Sequence, residues 1–247
     1  MQASQHATSP LRIEAERAFP RVTIRGLTTF GPPSEAALVQ VLDGRPGILV
    51  AINAEKIAQL DPTIVALTSA HLGYPDGIGA VMAMRRKGLA ATRLPGADLW
   101  LAIVRRYAGR RSFYLVGSTD EVVATVAARL RSAHRSARLW YRNGFLTDTE
   151  EDALVRDLQE RRPDFVFVAM GSPRQEVLMA RLFAAVPAVY VGLGGSFDVY
   201  AGVQPRAPRW MQRAGLEWAF RFVQQPARLR RLPRYLRFVG FLASGRL

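Results

Sequence analysis

An aspartate held between a proline and a glycine is the sharpest chemical feature of this 247-residue chain. In Pro75-Asp76-Gly77-Ile78-Gly79 the flanking residues favour a tight turn, where a carboxylate facing a cleft can act as a general base. In isolation the pentapeptide reads more simply as an ordinary turn whose Asp caps the following helix. A second group is Gly171-Ser172-Pro173-Arg174-Gln175-Glu176, between an apolar run and a helical one. Its small residues, helix-start N–H groups and guanidinium suit a phosphate or nucleotide, or make a plain strand–helix turn with a surface Arg. In Gly194-Gly195-Ser196-Phe197-Asp198 the aromatic ring either stacks on a base or belongs to the core. Arg93, ahead of a predicted helix, is a solvated surface residue or the cation that neutralises a departing phosphate.

Other chemistries are excluded by what the chain lacks. With no cysteine, there are no disulfides, thiol nucleophiles or Cys-ligated zinc, which suits a reducing compartment. His6, His71 and His134 show neither metal-ligand nor triad spacing. There is no Gly-x-Ser-x-Gly, and no Asp-x-Asp in a strand–loop setting to hold a divalent metal. Gly117-Ser118-Thr119-Asp120 keeps only the first glycine of the dinucleotide fingerprint. No metal and no cofactor are expected.

The elements that position these residues follow from periodicity. Short apolar runs at 47–52, 112–117, 137–141, 165–170 and 188–193 read as strands. Helical spacing at 120–134, 149–162 and 174–185 fills the intervals. Strands alternating with helices predict an α/β fold, a Rossmann-like, mostly parallel sheet with helices on both faces. Asn53, Asp76, Gly117, Asn143, Gly171 and Gly194 then fall just after strands or at turns into helices. Open parallel sheets bind ligands beyond the carboxyl ends of their strands, so these residues converge on one edge.

Charge divides the chain. The formal net charge is +14, and 32 of the 34 basic residues are arginine. Ten of those arginines lie in 205–247, opposed by one acid, Glu217, so nine of the fourteen net charges sit there. Aromatics are interleaved with them, and Leu229, Leu232, Leu236 and Val239 recur at helical spacing. Pro226 and Pro233 fit as the first residues of two short helices. The division is a polar segment over 1–20, a Rossmann-like domain over 21–204 and a basic amphipathic appendage over 205–247. Residues 1–20 hold Glu14 and Glu16 and no apolar stretch, so no secretory leader is expected. The longest charge-free stretch, between Arg181 and Asp198, is broken by Pro187 and three glycines and falls short of the ~20 apolar residues of a membrane span. Nucleotide-linked transfer at a membrane fits these features, and so does RNA binding.

Ordered blocks narrow the choice: LVAINAEK at 49–56, PDGIG at 75–79, RLPGADLW at 93–100, VAMGSPRQE at 168–176, GGSFDVYAG at 194–202, RAP at 206–208 and GLEWAFR at 215–221. In this order they resemble the WecG/TagA/CpsF glycosyltransferases (glycosyltransferase family 26) from about Val22 to the C-terminus. The resemblance leans toward the branch that moves N-acetylmannosaminuronic acid from UDP to undecaprenyl-diphosphate-linked GlcNAc in bacterial surface polysaccharide synthesis. It implies the fold type called GT-E and an inverting, metal-independent transfer on the cytoplasmic face of the membrane by a peripheral protein.

Residue by residue, it implies that Asp76 is the catalytic base and that Asn53 lies near the acceptor or donor sugar. Arg93 and Gln175 would engage the diphosphate and sugar, alongside Gly171, Ser172, Pro173 and Glu176 in the same loop and Gly195, Phe197 and Asp198 in the next. The appendage would supply Arg206, Arg221, Arg228 and Arg231. Two departures bear on the donor. Ala51 stands where many members have Thr, and PDGIG and GGSFD look more like other branches, which keeps UDP-ManNAc or UDP-glucose and another lipid-linked acceptor as alternatives. The expected partners are a UDP-sugar, a polyprenyl-diphosphate-linked sugar and an anionic membrane surface. Nucleic acid is not expected, and a homo-oligomer is compatible with the sequence.

Overall fold

The computed structural model describes residues 8–247, so His6 and the start of the 1–20 segment lie outside the described residues. The described residues open with α1 (Pro10–Ala18), a hairpin of β1 (Arg21–Ile24) and β2 (Leu27–Phe30), and α2 (Glu35–Val41). It continues through β3 (Gly47–Ile52), α3 (Ala54–Gln59), α4 (Pro62–Ala70), β4 (Leu72–Pro75), α5 (Ile78–Arg86) and α6 (Gly96–Tyr107). Regular alternation follows: β5 (Ser112–Gly117), α7 (Asp120–Ala133), β6 (Arg138–Arg142), α8 (Asp148–Arg161), β7 (Phe165–Ala169), α9 (Arg174–Ala185), β8 (Val189–Gly192) and α10 (Ser196–Tyr200).

Six strands form one parallel sheet in the order β4-β3-β8-β7-β5-β6. Its inner strands are apolar on both faces, as a doubly covered sheet requires. Phe113, Leu115, Phe165 and Phe167 point into one core, with α1, α2, α6 and α7. Tyr114, Val116, Val166 and Val168 point into the other, with α3, α4, α5, α8 and α9. Each large apolar side chain buried this way contributes about 1.5–3 kcal/mol. The fold is the α/β, Rossmann-like arrangement expected from the sequence.

The topology creates the crevice. From β5 the chain moves outward to β6, whereas from β7 it moves the opposite way to β8, although β5 and β7 are neighbours. Connections that diverge from adjacent strands leave a gap at their carboxyl ends. Gly117 closes the floor of that gap. Its φ is +148°, and a Cβ there would lie 2.3 Å from the Ala169 carbonyl oxygen, so no side chain fits.

Four elements are not visible as periodicity. The polar composition of 10–18 hides α1, which Ser9 caps and Leu11 and Ala15 anchor in the core. The β1–β2 hairpin covers the outer side of β4 so closely that a Cβ on Gly73 would lie 2.3 Å from the Thr28 carbonyl. β4 has only four residues, one of them proline, too few for a strand pattern to show.

The appendage holds more helix than the two prolines suggested. It comprises α11 (Arg209–Arg213), α12 (Glu217–Gln224), a 3-10 turn at Pro226–Arg231 and α13 (Leu232–Ser244), in which Pro233 is the second residue. It folds back on the domain. Phe238 is buried against Gly79 and Ala54, and Gly215 seats on Ile78. Leu229, Leu232, Leu236 and Val239 face outward, each at least 40% exposed. Among the described residues no helix is long and apolar enough to cross a membrane.

Candidate active site

All six strand-end residues singled out above lie at the carboxyl edge of the sheet. At β3, Asn53 caps α3, its side-chain oxygen accepting from the Lys56 N–H at 3.1 Å. At β4, the Asp76 backbone N–H donates to the Ile52 carbonyl at 3.1 Å, tying the turn to β3. Asp76 Oδ1 accepts from the Gly96 N–H at 2.6 Å, so the start of α6 fixes the carboxylate. Gly96 permits this approach, because a Cβ there would lie 3.0 Å from Tyr74 Oη and 3.3 Å from Asp76 Oδ1. Tyr74 is fully buried beside it. Burial first, then the charges of Asp76 and Glu176, push its phenol well above the usual range, so it stays protonated.

A buried polar chain underlies the β3, β7 and β8 ends. Lys56 Nζ donates to Glu176 Oε1 at 2.8 Å and to the Ala51 carbonyl at 2.8 Å. Gln175 Nε2 donates to Glu176 Oε1 at 3.0 Å, and Gln175 Oε1 accepts from the Gly194 N–H at 2.9 Å. Burial opposes ionisation of Glu176. The Lys56 charge and the hydrogen bonds of Lys56, Gln175 and Ser172 outweigh it and hold the carboxyl below its ordinary value.

Two expected substrate contacts lie within this chain. Gln175 and Glu176 are 3% and 1% exposed and bond to each other and to the scaffold, so they shape the Gly194 loop from beneath. Phe197 also lies inward. It is fully buried, edge-on to Trp100 at 5.6 Å, and is core rather than a platform for a base. The ring sits inward because Gly195 and Ser196 turn the chain into α10 immediately after β8.

Sequence reasoning missed Lys56. A signal was present, since it is one of only two lysines in a chain that otherwise uses arginine. Ser118 was also missed. Its hydroxyl donates to Asp198 Oδ1 at 2.7 Å, joining the β5 and β8 loops across the crevice. Of the remaining loop residues, Gly171, Gly195 and Asp198 are half-buried, and Ser172 and Pro173 are exposed at the start of α9.

The appendage lies over this edge. Arg93 Nη1 meets Glu217 Oε2 at 3.0 Å, and Nη2 donates to the Gln212 carbonyl at 2.7 Å. Arg206 grips both oxygens of Asp98 at 2.7 and 2.6 Å. Arg231 pairs with Glu55 at 3.2 Å, two residues after Asn53. Arg221 and Arg228 line a pocket of about 210 Å³ against Gly195, Val199 and Phe220. Burial, then the charges of Arg221 and Arg231, push Arg228 below its ordinary value, an excess of positive charge that an anion would relieve. A second, smaller pocket runs past Arg206, Glu217 and Arg221 to Ala97, next to the Gly96 that holds Asp76. Asp76 and Asn53 line neither pocket. They sit at the β4 and β3 ends, three and two strand spacings from β7, ~15 and ~10 Å. Among the described residues, no group of three or more His, Cys, Asp or Glu is placed to hold a metal ion.

A parallel sheet whose fixed carboxylate and glycine-rich loops share one edge with an arginine-lined pocket has the layout of a group-transfer enzyme for an anionic donor. The family comparison agrees. The model of the Glycosyl transferase WecG/TagA/CpsF family matches residues 22–247. The chain belongs to that family and is a glycosyltransferase, acting between a sugar donor and an acceptor.

Proposed function

We propose that this enzyme transfers a sugar, N-acetylmannosaminuronic acid, from its UDP derivative to GlcNAc on a polyprenyl diphosphate, with Asp76 as general base. The observation that carries this reading is the Asp76 carboxylate. Oδ1 is held by the Gly96 N–H, and Oδ2 has no protein hydrogen bond among the described residues. Oδ2 takes the proton from the acceptor hydroxyl as its oxygen attacks the anomeric carbon from the face opposite the UDP. The configuration inverts, the bond to the diphosphate breaks, and its electrons pass to the departing phosphate. Arg93, Arg221, Arg228 and the Gly171 and Ser172 N–H groups meet that charge. Asn53, on the strand beside Asp76, orients a sugar hydroxyl.

A donor series tests the reading. UDP-N-acetylmannosaminuronic acid, UDP-ManNAc and UDP-glucose are offered with synthetic polyprenyl-diphosphate-GlcNAc, with and without EDTA. The first donor should give the fastest product formation, with EDTA changing nothing. Preference for either other donor reassigns the substrate, and EDTA-sensitive turnover removes the metal-independent mechanism.

The same reading places the enzyme at the cytoplasmic membrane face, with the appendage against anionic lipid. Arginines and exposed Trp210, Val223, Leu229, Leu236 and Val239 share that segment, the pattern of an interfacial surface. Each arginine near such a surface contributes about 1 kcal/mol. Because Phe238 and Leu247 belong to the core, deleting the appendage would disturb the fold, and outward residues are the better probe. Leu229→Glu/Leu236→Glu/Val239→Glu should retain the melting temperature and lose sedimentation with phosphatidylglycerol vesicles. Unchanged cosedimentation would remove the membrane role. Retention on RNA at physiological salt, with no vesicle binding, would assign the arginines to nucleic acid instead.

A further inference from the structure

Glu217 is the only acid among the ten arginines of the appendage, and it faces Arg93 and Arg206. It opens α12. Oε2 meets Arg93 Nη1 at 3.0 Å, and Oε1 lies 3.9 Å from Arg206 Nε. Arg93 and Glu217 are each only about one-fifth exposed, so the pair is shielded more than a surface ion pair. The other arm of Arg93 is held by the Gln212 carbonyl, also in the appendage. Arg206 Nε is buried without a hydrogen bond among the described residues, while its remaining nitrogens are committed to Asp98. The smaller pocket is walled by Glu217 together with Arg206 and Arg221. The chain thus places its own carboxylate among guanidiniums beside the candidate site.

We infer that Glu217 is a displaceable internal anion. In the ligand-free enzyme it occupies the phosphate position on Arg93 and fastens α12 to the domain. A diphosphate entering the site takes over Arg93 and releases Glu217. Two anions cannot share one guanidinium face at hydrogen-bond distance without strong repulsion in a partly buried setting. A phosphate group brings more negative charge and more acceptor oxygens than a carboxylate, so it wins the exchange. Donor binding and appendage position are then coupled, because the same arginine is either strapped to α12 or engaged with ligand. The inference rests on the proposed contact between Arg93 and a diphosphate.

Calorimetry with UDP on the full chain tests it. Glu217→Gln keeps an acceptor oxygen but removes the competing charge, and should bind UDP roughly five- to tenfold tighter than the parent. Glu217→Asp, whose shorter side chain holds Arg93 less well, should tighten binding to a smaller degree, which keeps the test available if the Gln variant folds poorly. In an Arg93→Gln background the Glu217→Gln change should have no effect on affinity. Equal or weaker binding by both Glu217 variants, with Arg93→Gln still impairing UDP binding, overturns the displacement and leaves the diphosphate contact standing. Undiminished UDP binding by folded Arg93→Gln removes that contact, and the displacement with it.

Discussion

Asp76→Asn should fold as the parent does and lose about 10²- to 10⁴-fold in turnover, the usual contribution of a general base. The structure separates the two roles of this side chain. As a structural acceptor, Oδ1 takes the Gly96 N–H at 2.6 Å, and an asparagine oxygen can do the same. What asparagine lacks is a basic oxygen at the Oδ2 position, along with a negative charge at the start of α6 worth about 0.3–1 kcal/mol. A small drop in melting temperature, an unchanged affinity for UDP and a large fall in kcat are therefore expected together. An Asp that only caps α6 would give the first without the last. Full turnover by a folded Asp76→Asn enzyme would end its assignment as the base.

Lys56→Met should be among the most destabilising single substitutions in the protein. It strands the Glu176 carboxylate, 1% exposed, without its cation, and breaking a buried pair from one side costs about 3–5 kcal/mol. Replacing both partners, as in Lys56→Met/Glu176→Leu, removes the buried charges together and should restore most of the melting temperature, since apolar replacement of a whole pair is often neutral or better. Activity should not return with stability. Without Glu176, Gln175 Nε2 loses its acceptor and the amide that holds Gly194 loses its orientation, so kcat should stay roughly 10- to 100-fold low. A double variant with full activity would show that the chain only fills space.

The acid limb of stability gives a second readout for this pair. The folded-state pKa of Glu176 lies below its ordinary value of 4.5, so the unfolded chain binds the proton more readily. Its stabilising contribution is complete above pH ~4.5 and is lost as the pH falls through the depressed folded value. The double variant should lack that portion of the acid destabilisation.

Much of the framework could be read from residue patterns. The runs at 47–52, 112–117 and 165–170 became β3, β5 and β7 because strands buried on both faces have few polar interruptions to blur them. α7, α8 and α9 were equally plain from their spacing. β4 escaped because four residues ending in proline carry no period, and α1 because much of its surface is polar. Asp76 stood out through its flanking proline and glycine, whereas Lys56 had only its rarity to mark it.

The sequence by itself determined that the chain forms a doubly covered parallel sheet, that its chemistry-bearing loops share one edge, and that its positive charge concentrates in the last 43 residues. These properties are written in local composition and spacing, which survive without knowledge of the strand order. Tertiary structure decided which polar residues bond to each other. Glu176 meets a lysine 120 positions away, and Arg93 meets an acid 124 positions away. Such pairings depend on where β3, β7 and β8 sit side by side and on how the appendage folds back. The spacing of residues along a strand or helix carries no trace of either, so the burial of Gln175, Glu176 and Phe197 could not be read from it.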